Sequence, residues 1–232
     1  MYLEYLYNND TQQMCEEVCR LAQNEEPKLF ARCQEVSHQT DTSSLDAKVD
    51  CVAKINNIRA VLANMEAIFE HLAQSLSVEL GVFRTRDGQA DFGMVCRAVT
   101  EIEEGRAHLI SSITELTQVR KTIFESVANA NRALHFLKTA KRAVGEEAKA
   151  KYSNLIDITE GAYARLAKLD AAIREVQPFY MTLVERYIPA FMERLRASAD
   201  FNHAGAALER GAVCALCKEV FLLTNQAPNI TF

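Results

Sequence analysis

Residues 95–144 read VCRAVTEIEEGRAHLISSITELTQVRKTIFESVANANRALHFLKTAKRAV. In a seven-residue frame the a positions are Val99, Arg106, Ile113, Arg120, Val127, Leu134 and Lys141. The d positions are Ile102, Leu109, Leu116, Ile123, Ala130, Leu137 and Val144. Every d position is apolar and the four-three spacing never slips, the pattern that keeps one stripe of an α-helix facing a partner. No proline interrupts the stretch, and Gly105 is its sole glycine. It predicts a helix of about 50 residues, roughly 75 Å long. Such a helix needs neighbours of similar length. The e positions Ile110 and Phe124 widen the seam, which suits a bundle of three or more helices.

A second long stripe precedes it. Leu45, Val49, Val52, Ile55, Ile58, Leu62, Met65, Phe69, Leu72, Leu76 and Leu80 step by three or four. They predict a helix of about 36 residues, capped by Ser43 or Ser44. Between the two helices lies GVFRTRDGQADFG, residues 81–93. Its three glycines and Asp-Gly pair mark a loop or small hairpin. Arg84, Arg86, Asp87 and Asp91 gather there, which makes it a candidate interaction loop.

Further out, residues 2–24 form a first helix with Leu3, Leu6, Met14, Val18 and Leu21 on one side. Pro27 restarts the chain, residues 29–36 make a short second helix, and the polar stretch 38–44 reads as a connection. At the other end of the long helix Lys138, Lys141 and Arg142 precede Gly145, and Glu146 and Glu147 follow. Basic residues at a helix end, a glycine and then acids mark a break, either a reversal or a kink. The next helix, 146–177, presents Tyr152, Leu155, Thr159, Ala162, Leu166, Leu169, Ile173 and Val176. Pro178 calls for a new start or a bend, opening a sixth helix over 178–198, with Phe179, Leu183, Ile188, Phe191 and Leu195 on its face and a bend at Pro189. A last helix spans 206–224.

The fold expected is all-α: an elongated antiparallel helical bundle or coiled coil on two or three long helices with shorter flanking ones. It forms a single domain over 1–232, with the short helices of 1–44 packed on it. Scarce glycine (8) and proline (4) agree, since a sheet protein needs more turns. The net charge of −5 disfavours nucleic acid and anionic lipid as general partners. The seven cysteines, an odd number, with no basic leader before the apolar N-terminal residues, point to free thiols in the reducing cytoplasm. No apolar run of membrane-spanning length occurs in the sequence.

Chemistry-bearing patterns are sparse. Cys214-Ala-Leu-Cys217 is half of a tetrahedral metal site, and Cys15 with Cys19 is the other half if the end helices meet; the simpler reading is buried core thiols. Glu104 and His108 are spaced i, i+4, and one Glu-x-x-His, Glu35 to His38, occurs where a di-iron bundle needs two. No phosphate-binding or nucleophile-elbow motif is present. Arg106 and Arg120, at a positions, are expected to pack their stems and send their heads to water, with a register-fixing role as the alternative. Arg132, Lys138, Lys141 and Arg142 form a basic helix end suited to an acidic partner, although the helix dipole alone accounts for it.

These features favour a non-enzymatic scaffold or protein–protein interaction protein, binding a protein partner or itself, with no cofactor, metal or catalytic residue. Two alternatives stand beside it. One is a membrane-active bundle, similar in architecture alone to helical pore-forming toxins, resting on residues 212–223 and 179–192. The other is the cysteine-based metal or thiol site joining the termini.

Overall fold

The computed structural model describes residues 2–77 and 92–199, with side chains for 12–70 and 97–193. It is an all-α helical bundle. Helix α1 spans Tyr2–Asn24, α2 Glu26–Ser77, α3 Phe92–Ala143, α4 Lys149–Thr182 and α5 Ile188–Ala199. Among the described residues only Glu25, Val144 and Gly145 lie outside a helical turn. The loop 81–91 with Arg84, Arg86, Asp87 and Asp91, and the last helix with Cys214 and Cys217, lie outside the described residues.

Helix α3 follows its heptad frame. All seven d residues are buried, none more than 7% exposed. The widening of the seam, however, falls on the other flank. Ile110 is 41% and Phe124 67% exposed, whereas the g positions Ala98, Ala133 and Ala140 are buried. The whole g column is Ala98, Gly105, Ser112, Val119, Ser126, Ala133 and Ala140. Small side chains there let neighbouring helices approach closely, and the larger e residues are left on the surface.

The contacts divide the chain into two compact units. Met1–Cys51 and Val119–Ala171 make the first, Val52–Gln118 and Ala172–Phe232 the second.

In the first unit α1 turns back on α2 through Glu25, whose carbonyl accepts from Lys28 N–H at 2.9 Å. Pro27 sits in the first turn of α2, where its missing N–H is harmless. Glu17 pairs with Arg32 across the reversal. Val18 and Leu21 pack with Leu29, Cys33, Leu137, Ala140 and Tyr152. The larger aliphatic side chains among them, once buried, contribute about 1.5–3 kcal/mol each.

Residues 38–44 are not a connection, and no helix starts at Ser43 or Ser44; α2 runs straight through. The stripe expected from Leu45 and Val49 is also corrected, since these are 47% and 67% exposed while Ser37, Ser44, Ala47 and Cys51 are buried. The polar residues stay helical because α4 answers them. Ser37 Oγ donates to Leu155 O at 3.1 Å, and Thr159 Oγ1 donates within 3.0 Å of Ser37 Oγ. Arg165 donates to Ser44 Oγ at 2.9 Å and to Asp41. Buried hydroxyls paired this way avoid the penalty of an unmet polar group.

At the far end of α3 the chain reverses fully, as the Lys138–Glu160 pair at 2.8 Å requires. Gly145 has φ −65° and ψ 160°, extended backbone open to any residue, not the left-handed cap expected of a terminal glycine. Arg120 does not rely on water alone: its side chain is 36% exposed, but its Nε lies 3.2 Å from Oδ1 of Asp170, a carboxylate side chain only 10% exposed.

In the second unit α2, α3 and α4–α5 pack through apolar side chains. Ile55, Ile58, Leu62, Met65 and Phe69 are buried on α2. Phe69 meets Phe191 edge-on, centroids 5.0 Å apart. Gly105 lets α3 close on α2, since a methyl group there would come within 2.9 Å of Met65 Cγ. All eight residues expected on the face of α4, Tyr152 to Val176, are buried across the two units. The helix does not restart at Pro178. It breaks phase later, in a widened π turn over Leu183–Tyr187, where Ile188 N–H bonds Leu183 O. Arg106, the other a-position arginine, donates from Nε to Val184 O at 2.8 Å instead of reaching into solvent.

Candidate functional site

The first unit carries a groove of about 580 Å³ between α1, α2 and α3. Its floor is apolar: Met14, Val36, Ala130, Ala133, Phe136 and Leu166. Its rim is polar, with Gln13 and Glu17 from α1, Arg32, Gln39, Thr40 and Ser43 from α2, and Ser126, Asn129 and Arg132 from α3. The periodicities explain the division. Successive turns of α2 present Arg32, Val36, Gln39 and Ser43 to the groove, while α3 offers the small g residues Ser126 and Ala133, which leave the hollow between the helices.

The rim is electrostatically ordered at one end. Glu17 pairs with Arg32, and the Arg32 guanidinium lies over the Phe136 ring, 5.7 Å from its centroid. A cation over an aromatic face is held in place without leaving water entirely. Arg132 stands on the α3 side of the same rim, exposed. The groove therefore offers apolar contact at its base and guanidinium, amide and hydroxyl groups at its edges, which suits an elongated ligand with one apolar and one polar side.

Among the described residues, Arg132 alone of the basic residues singled out in the sequence reaches this groove. Lys138 is engaged by Glu160, Lys141 is half-buried and Arg142 is exposed, and none of the three lines it. Cys15 is half-buried and Cys19 exposed on α1, while Cys33 and Cys51 are buried. Burial pushes the Cys33 thiol up to about 12 and the Cys51 thiol up to about 11. Both are poor nucleophiles as they stand. Among the described residues no group of three or more metal-binding side chains occurs. Glu35, His38, Glu104 and His108 are exposed on their helices. The groove residues of α1 and α2 escaped sequence reasoning. The small residues at the g positions of α3 other than Val119 are the signal that marks where another helix, or a hollow, lies.

At the closed end of the same unit Glu26 accepts from Tyr152 Oη at 3.0 Å and pairs with Lys151 at 2.8 Å. The hydrogen bond from Lys151 holds the Glu26 carboxyl below its usual range despite partial burial. Burial and that carboxylate raise the Tyr152 phenol. This cluster ties the start of α2 to α4.

No protein-family model, curated protein or solved structure matches the chain. Among the described residues no helix is long and apolar enough to cross a membrane.

Proposed function

We propose that the protein is a non-enzymatic helical interaction module of the reducing cytoplasm, and that it docks an amphipathic helix of a partner protein in the α1–α2–α3 groove. The observation that carries this reading is the groove's composition: an apolar floor under a polar rim, in the trough that α2 and α3 form. That trough already receives a helix further along, where α1 seats Val18 and Leu21 against Leu29, Cys33 and Leu137. A docking helix would place apolar residues at i, i+3 and i+4 on the floor and an acidic residue opposite Arg132. The odd cysteine count supports the location.

The test is photocrosslinking in the native cell from a reactive side chain placed at Ser126, followed by sequencing of the captured segment. We expect one amphipathic helical segment, lost with Arg132→Glu and retained with Lys168→Glu, a charge reversal elsewhere on the unit. Equal capture by both variants would remove the groove as the docking site.

A further inference from the structure

Three observations meet where α4 gives way to α5 in the second unit. The buried positions of α4 keep a three-four spacing through Ile173, Val176, Tyr180 and Leu183. Continued, that spacing would bury Tyr187 and Ala190. Instead Val184, Ile188 and Phe191 are buried, Tyr187 is half-buried and Ala190 exposed, so the buried line shifts by one residue across Leu183 and Val184.

The widened turn Leu183–Tyr187 absorbs the extra residue. Its cost falls on one carbonyl. In an α-helix Val184 O would accept from Ile188 N–H, but that group is bonded to Leu183 O, five residues back. The donor that would serve Val184 O in the widened pattern belongs to residue 189, a proline with no N–H. Val184 is itself buried, and a buried carbonyl without a donor is strongly disfavoured. Arg106 Nε, reaching across from α3, donates to this oxygen at 2.8 Å.

We propose that Arg106 is a conformational latch: it supplies the donor that Pro189 lacks, and so holds the widened turn and the rotational phase of α5. One residue of phase is about 100° of rotation. With the latch in place Ile188, Phe191 and Met192 face the core; released, α5 would be free to turn Tyr187 and Ala190 inward. This explains why an arginine stands at this a position of α3, and it makes the α4–α5 junction the place where this unit can change register. π turns of this kind are known as sites of local adjustment in helices.

The test is a cycle between Arg106→Met and Pro189→Ala in the full chain, read by amide hydrogen exchange over residues 188–193. Arg106→Met alone should speed exchange there by about fivefold or more. In the Pro189→Ala background a backbone N–H at 189 can serve Val184 O, so the same substitution should have less than about half that effect. An equal acceleration in both backgrounds would overturn the proposal, because the arginine would then act through packing alone. Should Arg106→Met fail to fold, Arg106→Leu, which likewise removes the donor, is put through the same cycle. Rescue by Pro189→Ala supports the latch, and no rescue refutes it.

Discussion

Helix α2 meets its neighbours in two different ways. In the first unit its buried line includes Ser37 and Ser44, with half-buried Asp41 beside them, matched to Thr159 and Arg165 on α4. In the second its buried line is Ile55, Ile58, Leu62, Met65 and Phe69. The same helix thus carries a seam that specifies its partner by hydrogen bonds and a seam that gains stability from apolar area. Apolar burial is non-directional and tolerates sliding. A buried hydroxyl or carboxylate tolerates little, because each mismatch leaves a polar group unmet.

The largest effects should come from the apolar seam. Ile58→Ala or Leu116→Ala should destabilise by about 2–5 kcal/mol in chemical denaturation. Ser44→Ala in the polar seam should cost about 0.5–1.5 kcal/mol, the usual net worth of a hydrogen bond. If Ser44→Ala matched Ile58→Ala, the contrast between the seams would be wrong.

A middle-sized effect separates pairing from snorkelling at Arg120. Arg120→Leu takes the guanidinium from the nearly buried Asp170 and should destabilise by about 1–3 kcal/mol. Adding Asp170→Leu to the same chain should recover part of the loss, since an apolar pair leaves no buried charge. A neutral Arg120→Leu would mean that the head lives in water after all.

A smaller effect is pH-dependent. The folded-state pKa of Glu26 is lowered by its hydrogen bond from Lys151, so its contribution is complete above the ordinary carboxylate pKa and is lost as the pH falls through the depressed one. Between about pH 6 and pH 3 the native protein should therefore lose more stability than the Glu26→Gln variant, compared by thermal melts. Parallel losses would show that Lys151 does not favour the charged form.

The smallest effect is expected at Gly145. Its backbone is extended and an added methyl group meets nothing within 4 Å, so Gly145→Ala should be neutral or stabilising by up to about 1 kcal/mol. A clear loss would restore the terminal-glycine reading.

Much of this architecture is legible in the chain, and the seams explain which parts are not. The d column of α3 is apolar residues in step, the face of α4 is the same but for Thr159, and both are buried as read. Hydrophobic periodicity misplaced α2 at Leu45 and Val49 because the true interior line there is Ser37, Ser44, Ala47 and Cys51. Polar and small residues carry no weight in an apolar stripe, and their partners lie more than a hundred residues away. The stretch 38–44 looked like a connection for the same reason. The groove was invisible because hollows are made by small residues, here Ser126 and Ala133, and apolar periodicity does not register what is missing. Arg106 and Pro189 stand out separately in the sequence, and only the three-dimensional pairing with Val184 joins them.

Helix α2 is one uninterrupted helix, held to α4 by a polar seam. Amide hydrogen exchange across residues 38–44 tests it most directly, with residues 58–65 of the apolar seam as the internal reference. Exchange should be slow in both stretches, with a marked acceleration over 38–44 alone in the Arg165→Met variant. Exchange over 38–44 at the rate of an open connection in the native protein, with 58–65 still protected, would contradict it.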